Sequence, residues 1–136
     1  MTQEHIGFVG VGLMGHGMAK NLLAKGYPVT VIANRNRGPV EDLIALGARE
    51  AGSLEELAKV ATVIHLCLPG SPQVEAVVGQ LMPAMTSGSV IVDCSTSDPN
   101  STEALAAKLE AAGFHMADAP LGGTPVQAEA GELATM

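Results

Sequence analysis

Glycines at positions 10, 12 and 15 are the residues whose spacing most directly implies chemistry. Gly10-Val11-Gly12-Leu13-Met14-Gly15 reads G-x-G-x-x-G; it follows the apolar run 6–9 and opens a helix-period segment. The chain holds 16 glycines, so the pattern alone is weak. Its place between a strand and a helix supplies the mechanism. Gly10 permits a tight turn, Gly12 lets the backbone approach a pyrophosphate, and Gly15 lets the helix pack closely on the strand. The first helical N–H groups, those of Leu13 and Met14 among them, lack carbonyl partners and face the phosphates. A purely structural glycine turn is the other reading; the strand-turn-helix context favours the nucleotide.

In dinucleotide folds an acid about 20 residues beyond such glycines usually holds the ribose hydroxyls. Here that region is Ala33-Asn34-Arg35-Asn36-Arg37, with no acid. Asn34 can bond a ribose hydroxyl without repelling a phosphate. Arg35 can meet the 2′-phosphate of NADP with its planar fork or stack on adenine, and Arg37 is a second candidate. NADP is therefore favoured over NAD. The missing acid also argues against FAD, or a methyl donor, gripped through its ribose.

These residues need a scaffold, and the apolar pattern describes one. Six short apolar runs, at 6–9, 29–33, 48–51, 63–68, 90–92 and 114–117, alternate with helix-period segments at 13–25, 39–46, 53–60, 71–81 and 101–112. Ser53 followed by Glu56 has the spacing of a capping box. Strands this apolar are buried on both faces, and helical crossovers make them parallel. The sequence thus predicts a doubly wound α/β sheet, one dinucleotide-binding domain over 1–136.

Composition agrees. The 136 residues are 47% hydrophobic and 15% charged, which suits a packed core, and Phe8, Tyr27 and Phe114 are the only aromatics. A net charge of -7 disfavours nucleic acid as a partner, because the phosphate backbone is repelled at long range. Local donors can still hold a small phosphorylated ligand. Cys67 and Cys94 have neither metal nor redox spacing and read as buried, reduced thiols of a cytoplasmic protein. No metal site is expected. No apolar run approaches the ~20 residues a membrane helix needs, and no signal peptide is evident. His5, His16, His65 and His115 match no catalytic triad; His16 reads as an exposed first-turn residue. Lys108 reads as part of a solvated helix face.

The opening Gly7-Phe8-Val9-Gly10-Val11-Gly12-Leu13-Met14-Gly15, followed by Met18-Ala19-x-Asn21-Leu22-Leu23, resembles that of the β-hydroxyacid dehydrogenases. That family includes 3-hydroxyisobutyrate dehydrogenase, tartronate semialdehyde reductase and, more distantly, 6-phosphogluconate dehydrogenase. Three later segments resemble it too: Cys67-Leu68-Pro69, Asp93-Cys94-Ser95-Thr96-Ser97-Asp98-Pro99 and Asp118-Ala119-Pro120-Leu121-Gly122-Gly123. The resemblance implies that Leu68, Pro69 and Gln73 flank a ribose of the cofactor and that Thr96 sits near the nicotinamide. It further implies that Ser95 contacts cofactor or substrate, although Ser95 and Thr96 also suit turn and helix capping before Pro99.

Two departures from the family pattern matter. Gly122 replaces the usual serine of the substrate loop, and Thr124 stands where its last glycine would be. Gly122 and Gly123 can offer amides and Thr124 a hydroxyl, so the substrate side is expected to differ from the commonest members. The family also continues past this length, with a lysine general acid/base and a helical domain that completes the active site and dimer interface. The resemblance therefore implies an NADP-dependent oxidoreductase acting on a small 3-hydroxy acid or semialdehyde, with this chain as the cofactor-binding half, truncated and inactive or slow alone. Apolar surface left bare would favour self-association into a homo-oligomer. A non-catalytic dinucleotide-binding module and the N-terminal half of an imine reductase are the alternatives.

Overall fold

The apolar runs and the helices between them assemble as one doubly wound sheet in the computed structural model, which describes residues 4–12, 14–33 and 36–135. In chain order the elements are β1 (Ile6–Val9), α1 (Gly15–Ala24), β2 (Val29–Ile32), α2 (Gly38–Ala45), β3 (Arg49–Ala51), α3 (Leu54–Val60) and β4 (Val63–Leu66). Then come α4 (Ser71–Leu81), β5 (Val90–Asp93), α5 (Pro99–Ala111), β6 (His115–Asp118), β7 (Leu121–Gly122), α6 (Pro125–Ala130) and β8 (Ala134–Thr135). The sheet order is β3-β2-β1-β4-β5-β6, and every neighbouring pair is parallel. The chain reverses its direction of travel across the sheet between β1 and β4. That switch point is where ligands bind in open α/β sheets.

The two faces of the sheet bury different sets of side chains. Leu57, Ile64, Leu66, Val78, Leu81, Ile91 and Leu109 fill the side covered by α3, α4 and α5. Phe8, Val31, Val40 and Leu43 fill the side covered by α1 and α2. All of these are fully buried, and each such side chain contributes about 1.5–3 kcal/mol relative to leaving it exposed. Aliphatic packing thus replaces the aromatics this chain lacks.

Local chemistry sets the helix ends, with some differences from the sequence pattern. Ser53 caps α3 by accepting from the Glu56 N–H at 3.1 Å. The Glu56 carboxylate, however, reaches back to the Gly52 N–H at 2.9 Å, one residue earlier than a capping box requires. A complete capping box occurs instead at Thr124 and Gln127, opening α6. The antiparallel pair β7-β8 with α6 between them is absent from the sequence reading. Both strands are only two residues long, too short for periodicity to register. α5 starts at Pro99, two residues before the expected 101, because Asp98 caps it through the Asn100 N–H at 3.0 Å.

Backbone approach at the first turn is extreme. Gly10 has φ +94, and a Cβ there would lie 2.1 Å from the Cys67 carbonyl oxygen. A Cβ on Gly15 would lie 1.9 Å from the Gly10 carbonyl oxygen. Gly10→Ala is expected to cost at least about 3 kcal/mol in urea denaturation, because strain at positive φ and a backbone clash coincide. Gly79, inside α4 with nothing within 4 Å of its Cβ position, is expected to behave oppositely. Gly79→Ala should stabilise the chain by about 0.5–1 kcal/mol in the same assay.

Candidate functional site

Where β1 and β4 part, the turns at their C-terminal ends open into a cleft of about 620 Å³. Gly10, Val11 and Gly12 form one wall, Ile32, Ala33, Asn36 and Pro39 another, and Leu68, Pro69, Gln73 and Val77 a third, with Leu54 between. Most of this surface is apolar. It suits a flat ring held by dispersion and a few oriented polar groups. At the mouth, a methyl on Gly12 would meet no atom within 4 Å among the described residues beyond its chain neighbours. α1 begins there with Met14 as its cap residue and no side-chain cap, and α4 begins with Gly70, likewise uncapped by a side chain. A helix start without an internal acceptor is a ready site for anionic oxygen. These residues therefore fit a dinucleotide: an open cradle at Gly12 for phosphate and an apolar slot for a base.

Five of the expected cofactor residues, Gly10, Gly12, Leu68, Pro69 and Gln73, meet in this cleft. Gly15 sits behind it, buried against the Gly10 carbonyl. Leu13, Asn34 and Arg35 lie outside the described residues. Arg37 points toward β3, donating to both carboxylate oxygens of Glu50 at 2.8 and 2.9 Å, with Glu41 at 3.6 Å. The bond from Arg37 holds the Glu50 carboxyl below its ordinary range. Ile32, Pro39, Leu54 and Val77 line the cleft without having been singled out in the sequence. The signal available for them was strand-end and first-turn position.

Ser95 and the loop after β6 are separate from the cleft lining. Ser95 is buried, and its hydroxyl accepts the Leu68 N–H at 2.8 Å while its own N–H donates to Asp93 Oδ1 at 2.9 Å. Asp93, fully buried, also accepts from the Ser97 hydroxyl at 2.8 Å. This network ties the turn after β4, and with it Leu68 and Pro69, to the end of β5. Thr96 is exposed. Thr124 spends its oxygen on the Gln127 N–H at 3.3 Å and its own N–H on Gln127 Oε1 at 2.9 Å. Gly123 has φ +132 and turns the chain from β7 into that cap.

Three features escaped the sequence. Cys67 and Cys94, expected as free thiols, are brought side by side on adjacent strand ends, following the paired residues Leu66 and Asp93. Cys94 beside it, then burial, hold the Cys67 thiol well above its ordinary range, so it meets the cleft uncharged. His65 stacks on Phe8 with ring centroids 5.1 Å apart and 5° between planes. Its buried Nδ1 has no hydrogen-bond partner among the described residues, and desolvation pushes its pKa down. His16 is not an exposed first-turn residue: Asp42 and Glu129 bind its two ring nitrogens. Each contact joins residues distant in sequence, which no local pattern encodes.

With this geometry the chain belongs to the family described as the NAD binding domain of 6-phosphogluconate dehydrogenase, whose sequence profile matches residues 5–136. It is 35% identical over 136 residues to the NAD-dependent L-serine dehydrogenase of Pseudomonas aeruginosa, covering 98% of this chain and 45% of that protein. Among solved structures, 3-hydroxyisobutyrate dehydrogenase from Salmonella typhimurium superposes with a TM-score of 0.92 at 32% identity, over 98% of this chain and 47% of that one. Psf3 in complex with NADP+ and 2-OPP gives 0.88 at 34% identity, over 96% and 47%. The chain thus spans a little under half the length of these relatives. No helix among the described residues is long and apolar enough to cross a membrane.

Two outcomes test the site's architecture. Ser95→Ala strands the Leu68 N–H and should cost about 1–3 kcal/mol in unfolding experiments, with faster amide exchange at Leu68. His65 has a lowered folded pKa, so its contribution is present above the unfolded value of 6.5 and is lost as pH falls through the folded one. His65→Phe should therefore remove part of the fall in melting temperature between pH 7 and pH 5.

Proposed function

We propose that this chain is the NADP-preferring dinucleotide-binding domain, over 1–136, of a cytoplasmic oxidoreductase of the 3-hydroxyacid dehydrogenase type. The observation that carries the reading is the open cradle at Gly12, at the uncapped start of α1, in a cleft at the sheet's switch point. Family membership and relatives named as dehydrogenases support it.

In this reading the amides of Gly12, Leu13 and Met14 hold the pyrophosphate, with Gly10 and Gly15 keeping the turn closed behind them. Ile32, Pro39 and Leu54 offer the apolar surface for the adenine. Leu68, Pro69 and Gln73 flank a ribose, and Thr96 lies toward the nicotinamide. Asn34 bonds a ribose hydroxyl without repelling a phosphate, and Arg35 chooses the cofactor by engaging the 2′-phosphate. Arg37 joins them only by giving up its fork on Glu50, so Arg35 is the principal determinant. The nicotinamide supplies a hydride acceptor or donor; the protein binds and orients it. Gly122, Gly123 and Thr124, with Ser95 behind, form the substrate side, where amides face the carboxylate of a small 3-hydroxy acid or its semialdehyde.

Reduction of a carbonyl also needs a proton donor. Cys67, the thiol on the cleft, is held uncharged by Cys94 beside it and by burial, both of which raise its pKa. The proposal therefore expects binding without rapid turnover by these 136 residues, and self-association through uncovered apolar surface such as Val126, which is 77% exposed.

Calorimetric titration with NADPH and with NADH tests the assignment. NADPH should bind at least tenfold more tightly, and Arg35→Ala should erase that preference while sparing NADH. Gly12→Ala should weaken both cofactors at least tenfold with an unchanged unfolding curve, because its methyl occupies ligand space alone. Equal binding of both cofactors by the parent chain would overturn the NADP assignment; no binding of either would overturn the site.

A further inference from the structure

We propose that His16 is a positioning residue: as an imidazolium bridging Asp42 on α2 and Glu129 on α6, it holds the loop 121–124 in place through α6. The significance of that loop rests on its assignment to the substrate side; the latch itself does not.

The bonding pattern sets the charge. Nδ1 of His16 meets Glu129 and Nε2 meets Asp42. Carboxylates only accept, so both ring nitrogens must donate, and only the protonated ring carries two N–H groups. Burial of the half-shielded ring opposes the charge, but bonds to Glu129 and Asp42, with their charges, outweigh it and raise the pKa. The groups facing the ring are Asp42 from α2, Glu129 from α6 and Lys20 on α1, whose ammonium also reaches Glu129 at 3.0 Å. β1 and β2 beneath α1 contribute no charged side chain.

α6 has little freedom to yield elsewhere. A Cβ on Gly17 would lie 2.5 Å from the Ala128 carbonyl carbon and the Glu129 nitrogen, so α1 and α6 touch backbone to backbone. Asn21 Nδ2 donates to the Ala128 and Glu129 carbonyls at 3.0 and 3.2 Å. At its other end α6 is capped by Thr124, the residue that closes the loop. Fixing Glu129 therefore fixes the helix on which Thr124, Gly123 and Gly122 are hung. A neutral imidazole has one N–H and turns a lone pair on one carboxylate. With the folded pKa raised, the latch is complete at low pH and is lost as pH rises through that value.

Hydrogen exchange followed by mass spectrometry on the 136-residue chain, as protection factors at pH 6 and pH 9, tests this. In the parent chain, protection over 121–131 should fall at least fivefold from pH 6 to pH 9, while that of β1 and β4 stays level. His16→Gln should be poorly protected over 121–131 at both pH values. His16→Lys, whose ammonium keeps its charge and can serve both carboxylates, should be protected at both. Level protection in the parent chain, or a parent-like pH slope in His16→Gln, would overturn the proposal. Nitrogen-15 shifts of the His16 ring give a reading without any substitution: two N–H groups at pH 6 support the latch, one sinks it. No substrate enters these measurements. If the latch holds while changes at 122–124 leave substrate use untouched, it is the substrate-side reading that fails.

Discussion

Contact between backbones, without side chains between them, is the constraint on which the rest of this structure depends. The carbonyl of Gly10 rests where a side chain of residue 15 would be, and the carbonyl of Cys67 rests where one of residue 10 would be. β1, α1 and the end of β4 are thereby locked at a distance that no other residue permits. Gly17 repeats the device against α6. A chain poor in aromatics gains from this: dense packing comes from bringing elements close, rather than from filling wide gaps with large rings.

The same closeness shapes the cleft. With α1 pressed onto β1, its start lies just past Gly12 at the cleft between β1 and β4, where the sheet order reverses. An acidic chain of net charge -7 can thus present a local field that favours anions, because helix-end dipoles act over a few ångströms while the overall charge is screened. The neighbouring walls are held by buried bonds: Ser95 on the Leu68 amide and the Asp93 carboxylate on the Ser95 amide. At the surface Arg37 and Glu50 satisfy each other.

Much of the fold was legible because its signals are local. β1, β2, β4 and β5 are short apolar runs ended by glycine, proline or a polar turn, and α1 to α5 lie close to their expected bounds. Gly10, Gly12 and Gly15 could be read because strand, turn and helix are contiguous in sequence. The β7-α6-β8 unit could not, since a strand of two residues has no period. Ser95 was legible as a turn residue, but its bond to Leu68 spans 27 residues. His16 was misread as exposed because α2 and α6, which enclose it, arrive 26 and 113 residues later.

That last separation bears on how the chain is made. Within these 136 residues α1 is the first helix made and α6 the last. Until residue 129 has emerged, Gly17 has no backbone packed against it and His16 lacks one of its two carboxylates. The sheet can form around β1 once β4 exists, but the first helix meets α6 only when residues as far as Glu129 are available. Closing so long a loop costs only slightly more than closing one of half the length. Its cost is paid late, however, and contacts of this range slow folding. Within these 136 residues the first helix made is thus among the last to be fully packed.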